Sequence, residues 1–507
     1  MERIRKIIDK YTSFARKNAQ DYGVIMVCNV KGKTVSLEDY DQTPIDSEYY
    51  SYTQYEEIID AVTKIGFSVK SYFDENDFIS AYYKKELIDN SPKKLVILNS
   101  AQKGTAEGRK SLVPAFCDLN NLLHTNSNAY TSSFSRDKYH CFSVLRTGGY
   151  NVAESWLYDA NGGWLFNRKP SIGKKIICKL NSECSSIGLS DNNIFIYSKE
   201  KDEYIKNMCQ RFNQRVIVQE FIEGLEIEVP VVVTKLTGVS LSPVGIKIGN
   251  EKNLGDQILD YDIRGNNKFS FYNFAEDEPE LSKKIQYQTS ELAYDLGIFG
   301  LGRIDYRIND KKEWYVTDIS TNPHITRSMS YYFAFKKLGY EYEDVLATLL
   351  GMSILRKNDF PEKKVLTNGK SVVLKTEMPS PIEWIELRNK IGWNTHELRI
   401  HELAAMNSIF GVVVYDENQA PIGMGRIVGD QNICFYFQDI GVIPERQNEG
   451  IGNLIMKALL KYTLEHAEPK SIVGLMSADV ETEKFYRKFG FKTRKDIDKG
   501  QGMVLEL

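Results

Sequence analysis

Five polar clusters follow one another in the middle of the chain. They are Arg136-Asp137-Lys138, the stretch from Lys179 to Gly188, the stretch from Glu220 to Glu226, Gly302-Arg303-Ile304-Asp305, and the stretch from Asp318 to Pro323. Lysines such as Lys138 and Lys179 can meet phosphate as point charges. The loop Ser182 to Gly188 is small and polar, and its backbone N–H groups at Ser185, Ser186 and Gly188 can fold over further phosphates. Asp305 and Asp318 are hard oxygen donors of the kind Mg²⁺ takes, normally one or two carboxylates together with substrate phosphates. Arg303 can hold either phosphate or a developing oxyanion. Cations, a flexible loop and metal acids are what in-line phosphoryl transfer needs.

These groups need elements to hold them. Ile176-Ile177-Cys178 is an apolar strand that delivers Lys179 at its end. Val216 to Gln219 is a second strand, and it runs into Glu220, Phe221 and Ile222. Backbone groups there can meet an adenine edge, and Glu226 can accept from ribose hydroxyls. Arg303 and Asp305 alternate along one strand and so share its face. Asp318 ends Tyr315-Val316-Thr317, so two adjacent strand ends would put both carboxylates at one site.

The clusters taken together resemble the ATP-grasp superfamily, in its D-alanine–D-alanine ligase-like branch, over about residues 95–350. Lys138 and Lys179 match that family's two lysines, and Ser185, Ser186 and Gly188 its Gly/Ser loop. Glu220, Phe221, Ile222 and Glu226 fall on the adenine hinge and ribose acid. Arg303 matches the family's arginine, and Asp305 and Asp318 its metal acids. The resemblance implies ATP, Mg²⁺ and a carboxylate–amine ligase working through an acyl phosphate, and it allows a homodimer. Some positions depart from the family. The usual Glu-x-Asn metal pair reads Asp318-Ile319-Ser320, with Asn322 two residues on as a replacement donor. A Ser-x-Glu motif for the first amino acid is missing after the first strand, where a long polar stretch runs from Gly32 to Ser51. His324 stands where a glycine is usual. Arg264 and Arg327 are candidate partners of a substrate carboxylate. D-Alanine itself is therefore not implied as the substrate.

The last third carries different chemistry. Gln447-Asn448-Glu449-Gly450-Ile451-Gly452 feeds an apolar-periodic helix, and a Gly-rich turn into a helix N-terminus is an anion site. Further on, Phe485-Tyr486-Arg487-Lys488-Phe489-Gly490-Phe491 places a tyrosine near a helix end, where it can protonate a leaving thiolate. The two segments resemble the GCN5-related N-acetyltransferase (GNAT) family over most of residues 371–507. The resemblance implies that Gln447, Gly450, Ile451, Gly452 and Asn453 bind the pyrophosphate of acetyl-CoA, that Val442 bonds its pantetheine arm, and that Tyr486 is the general acid. Asp439, or a water chain, takes the proton from the acceptor amine. Arg388, Gly392, Trp393 and Asn394 fall in the region where that family varies for its acceptor.

Bulk properties bound the rest. A formal charge of -3 on 507 residues gives no reason to expect a polyanionic partner, so nucleic acid is excluded from the expectation. The 7 cysteines are scattered without a CxxC pair, which argues for free thiols in a reducing compartment. With neither a signal-type leader nor a membrane span, the expectation is a cytoplasmic protein with no membrane partner.

The expected fold class is α/β and α+β. Residues 1–130 form an N-terminal α/β pre-ATP-grasp domain, 131–355 the ATP-grasp domain, 356–369 a linker, and 370–507 a GNAT α/β domain. The expected function is bifunctional. An amino-acid or peptide ligase is joined to an acetyltransferase acting on a small-molecule amine. The alternative is a single-activity acetyltransferase regulated by a nucleotide-binding ATP-grasp domain.

Overall fold

Tyr22–Cys28 spells YGVIMVC, seven residues without a charge, and all seven are buried. Such a run has both faces covered, as in the middle of a parallel sheet. In the computed structural model it pairs in parallel with Ser68–Tyr72 on one side and Lys94–Ser100 on the other, and Leu123–His124 completes the sheet. The crossover helix Tyr52–Ile65 begins with a capping box between Ser51 and Gln54 and stops at Gly66, whose φ of 115° ends it in the left-handed region. The structure describes residues 2–36, 39–41, 43–87, 94–235, 237–265, 268–358, 363–367, 370–430, 433–467, 470–498 and 500.

The chain divides into two compact units, Met1–Arg356 and Lys357–Leu507. The first holds the parallel sheet and two further sheets. One has five strands in the order Gly163–Trp164, Ser155–Asp159, Val216–Glu220, Lys175–Leu180, Ile194–Ile196, with antiparallel pairing throughout. The other runs Phe269–Asn273, Val244–Ile248, Leu225–Val233, Gly300–Ile308, Trp314–Ser320, and Gly238–Ser240 joins it at Leu225–Val233. Gly300–Ile308 is buried along its whole length, charged residues included. A charge is buried only at the cost of finding a partner, so this strand marks where the chemistry sits. Helix Ala129–Arg136 runs through the division expected at 130/131, and both sides of it lie in one compact unit.

The second unit has one sheet in the order Lys363–Thr367, Lys370–Lys375, Phe410–Tyr415, Pro421–Gly429, Cys434–Val442, Ile472–Leu475. Pairing is antiparallel except at the last pair, where helix Ile451–His466 supplies the crossover that a parallel pair requires. Within the stretch expected as a linker, residues 363–367 form the first strand of this sheet, and residues 359–362, 368 and 369 lie outside the described residues. The fold is mixed α/β, as the sequence predicts. Among the described residues no helix is long and apolar enough to cross a membrane.

Candidate functional sites

In the first unit, a cleft is lined by the second and third sheets together. Lys175–Leu180 alternates across its own plane. Ile176, Cys178 and Leu180 enter a core with Ile205, Met208 and Phe212, while Ile177 and Lys179 line the cleft. Burial drags the Lys179 ammonium down to about 8, and Asp318 opposes that fall. Lys138 arrives from elsewhere, as the first residue of helix Lys138–Thr147, capped by Asp137. Its Nζ donates to the Glu183 carbonyl and lies 3.2 Å from Asp318 Oδ1. Burial works against the charge of Asp318, yet Lys138 and Lys179 outweigh it and hold the carboxyl below its usual value.

Strand register explains the acids. Asp305 stands opposite Asp318 on one side and opposite Glu228 on the other, so three carboxylates form a row across three strands. Arg303 clasps Asp305 with Nε and Nη2, both at 2.7 Å, and reaches Glu228 with Nη1 at 3.1 Å. Burial lifts Asp305 above the carboxylate range although Arg303 pulls the other way. Ser320 is paired with Arg303 in the register. Asn322 does not join this row. Its amide nitrogen donates to the Asn99 carbonyl at 3.0 Å, and its oxygen accepts from Asn126 at 2.6 Å. It ties the strand end to the parallel sheet. Among the described residues, no group of three or more His, Cys, Asp or Glu side chains is arranged to hold a metal ion.

The phosphate-type loop is anchored at one end and latched at the other. Glu183 accepts from Arg109 Nη1 and Nη2 at 2.8 and 2.7 Å, and Arg109 also reaches Glu48 at 3.2 Å. Cys184 Sγ accepts from Arg136 at 2.9 Å and Lys110 at 3.0 Å. Ser185 and Ser186 both lie in the left-handed region, with φ of 55° and 58°. That conformation is uncommon for residues with a Cβ, and it persists where the surroundings hold it. Here the Ser186 hydroxyl donates to the Leu259 carbonyl on the far side of the loop. Gly188 lies against Phe212 and Leu180.

At the hinge, Phe221 packs with Ile177 and Ile258, and the Arg307 guanidinium lies 4.8 Å over its ring. Glu220 and Ile222 line the cleft beside it, and the Glu220 carboxylate pairs with Lys174 at 3.2 Å. Glu226 faces Arg307 at 3.8 Å. Arg327, a candidate for substrate carboxylate, sits 4.3 Å over Tyr342 and pairs with Glu343 at 3.4 Å. The Arg264 side chain lies outside the described residues. Sequence reasoning missed Glu228, Glu48, Arg109 and Arg307. The Glu226-Ile227-Glu228 alternation carried a signal for Glu228, because i and i+2 on a strand share a face.

The second unit brings its own groups together. Cys434–Val442 pairs with Ile472–Leu475 only from Cys434 to Phe437, so the two strands part before Val442. Asp439 has φ 52° and sits at a register shift against Pro421–Gly429. Asn448 (φ 62°) and Gly450 (φ 85°) turn the chain into helix Ile451–His466, whose first residues are Ile451, Gly452 and Asn453. The turn leads into a helix N-terminus, where the first backbone N–H groups have no partner within the helix. Gln447 donates to the Val442 carbonyl at 3.2 Å and closes the turn onto the strand end. A Cβ on Gly452 would lie 3.2 Å from the Phe485 ring, which ties the turn to helix Val480–Arg487 and Tyr486. Tyr486 is buried, and burial raises its phenol above the ordinary value, so it keeps its proton. Asp439, the expected base, stands between two arginines. Oδ1 accepts from Arg388 at 2.5 Å and Oδ2 from Arg426 at 2.6 Å. Both of its oxygens are therefore taken up by guanidinium groups.

The comparisons with known proteins match a stretch in each unit. A family model described as "D-ala D-ala ligase C-terminus" matches residues 162–351, and one described as "Acetyltransferase (GNAT) domain" matches residues 394–505. The chain thus carries a stretch that matches the D-ala D-ala ligase C-terminus model, followed by one that matches the GNAT model. The D-alanine--D-alanine ligase of Natranaerobius thermophilus is 26% identical over 50% of this chain and 68% of that protein. The Aquifex aeolicus D-alanine--D-alanine ligase is 25% identical over 48% of this chain and 78% of that protein. The crystal structure of the Bacillus anthracis D-alanine--D-alanine ligase complexed with ATP covers 66% of this chain and 98% of its own, with a TM-score of 0.50 and 17% identity, and it shares the fold. The ligase-type domain and the GNAT domain make the chain a bifunctional arrangement.

Proposed function

We propose that the ligase-type unit joins a carboxylate to an amine at the expense of ATP, through an acyl phosphate. The observation that carries this is the convergence of Lys138, Lys179, Asp305 and Asp318 on one cleft from four separate elements, with Arg303 clasping Asp305 from the same strand. A substrate carboxylate oxygen attacks the γ-phosphorus, the bond to the bridging oxygen breaks, and ADP leaves. The amine then attacks the acyl carbon, and phosphate departs with the oxygen it gained. Lys138 and Lys179 neutralise the phosphates, Ser185 and Ser186 cover them, and Glu226 and the hinge at Phe221 and Ile222 hold the nucleoside. Arg303, kept in place by Glu228, faces the charge that develops on the transferred group and on the tetrahedral oxygen. Asp305 and Asp318 fit Mg²⁺ as a two-carboxylate site completed by phosphates, and the ion would supply charge neutralisation there.

In the acetyltransferase unit, the turn Gln447 to Asn453 receives the pyrophosphate of acetyl-CoA, and the Val442 strand end receives the pantetheine arm. The amine nitrogen attacks the thioester carbonyl and loses its proton to a water chain, the C–S bond breaks, and Tyr486 gives its proton to the leaving thiolate. The acceptor is a small-molecule amine. ADP release and acetyl incorporation are measured over paired amino acids, with and without acetyl-CoA. Amino-acid-dependent ADP release supports the ligase. Acetyl transfer that is merely altered by ATP, with no ADP formed, supports a regulatory nucleotide site instead.

A further inference from the structure

We propose that the acetyl acceptor carries a carboxylate, and that Arg388 and Arg426 together bind it. The proposal rests on the acetyltransferase reading and names the substrate class of that site.

Arg388 belongs to helix Pro381–Ile391 and Arg426 to strand Pro421–Gly429, and Asp439 bridges them. Two guanidinium groups share one carboxylate, so the cluster keeps one positive charge. His401 also faces the cluster, and its imidazole is buried and shifted toward the neutral form by burial and by Arg388. A neutral His401 leaves the charge of the cluster unchanged.

The arginines are held rigidly, yet each has a nitrogen to spare. Arg388 donates from Nε to the Asn394 carbonyl at 2.6 Å and from Nη1 to Asp439, and its guanidinium lies 5.5 Å from the Trp393 ring. Arg426 donates from Nε to Asp439 and from Nη1 to Ser408 at 3.2 Å, and it lies 4.9 Å over Trp384. Among the described residues, Nη2 of each arginine donates no hydrogen bond. Neither side chain is closed off, with exposures of 18% and 17%. Two fixed donors with a net positive charge suit the two oxygens of a carboxylate, whose charge-assisted bonds are the strong ones.

The position fits the reaction. Asp439 lies three residues before Val442, on the part of Cys434–Val442 that has already left its parallel neighbour. A carboxylate bound here would hold its amine close to the strand end that receives the thioester arm. An α-amino acid and a peptide with a free C-terminus share this chemistry.

The test uses the full chain with acetyl-CoA and no ATP. Amino acids of both chiralities and their dipeptides are compared with the matched C-terminal amides, and the two sets separate the two sources. The expected result is that kcat/KM for acids exceeds that for amides by at least about tenfold, the scale of one charge-assisted hydrogen bond. Arg388→Gln and Arg426→Gln should each narrow the gap by raising KM for the acids, with KM for acetyl-CoA unchanged. A second measurement needs no variant: N-acetyl amino acids should inhibit the unaltered protein more tightly than their amides. Equal rates and equal inhibition for acids and amides would overturn the proposal. Acetyl-CoA binding is followed separately by calorimetry. Its absence would overturn the acetyltransferase reading, whereas binding with parity of acids and amides would overturn only the carboxylate site.

Discussion

Asp305 and Asp318 face each other across neighbouring strands, yet each carboxylate already has a cation of its own. Arg303 grips Asp305 through two bonds of 2.7 Å, and Lys138 lies 3.2 Å from Asp318. With Glu228 and Lys179 added, three acids meet three bases. The row is balanced without ligand, and added phosphate or metal must redistribute those pairs.

Lys179 is the least satisfied of the bases, because burial lowers it to about 8. Lys179→Ala should reduce ADP release by at least about a hundredfold, the scale of losing a preorganised charge in a catalytic site. Acetyl transfer in the same preparation should be unchanged. Loss of both activities would refute independent sites.

The same lysine sets a pH dependence. Below about pH 8 it is charged before ATP arrives. Above that it must take up a proton on binding, so ATP affinity should fall as pH rises through about 8. Stability has the opposite sign. The unfolded chain binds more protons at this site between pH 8 and the ordinary lysine value, so folding gains as pH rises through that window. Calorimetry in buffers of different ionisation enthalpy, with Lys179→Arg as the control, reports the proton uptake.

Glu183 is buried with Arg109 at 2.7 Å and is held below its usual value, since Arg109 and Arg136 outweigh the burial that raises it. Glu183→Gln leaves buried arginines short of a counter-charge, and it should cost about 3–5 kcal/mol of stability to denaturant. A group depressed in this way stabilises the fold above the unfolded carboxylate value. That contribution is lost as pH falls through the native value, so the stability gap between Glu183→Gln and the unaltered protein should close in acid.

Tyr486 keeps its proton because it is buried. Tyr486→Phe should lower kcat for acetyl transfer by about 10²–10⁴-fold while leaving KM for acetyl-CoA close to its starting value. Rates of ADP release should not move. A large change in KM with kcat intact would assign Tyr486 to packing.

Much of this was legible in the chain. Lys179 at the end of an apolar strand, Arg303 and Asp305 two residues apart, and the glycine turn before Ile451 are local patterns, and local geometry sets their positions. The rest is tertiary. The Asn322 amide holds Asn99 and Asn126, which no local pattern announces. The two arginines on Asp439 come from a helix and from the neighbouring strand. The Glu48–Arg109–Glu183 cluster joins segments far apart in sequence, and each partner alone reads as a solvated charge.

The ligase chemistry is tested by following oxygen from the carboxylate. Amino acids carrying heavy oxygen in the carboxyl group are incubated with ATP, Mg²⁺ and an amine partner, and the released phosphate is weighed by mass spectrometry. An acyl phosphate requires one heavy oxygen in each phosphate released, in step with ADP. Amino-acid-dependent ADP release with unlabelled phosphate would contradict it.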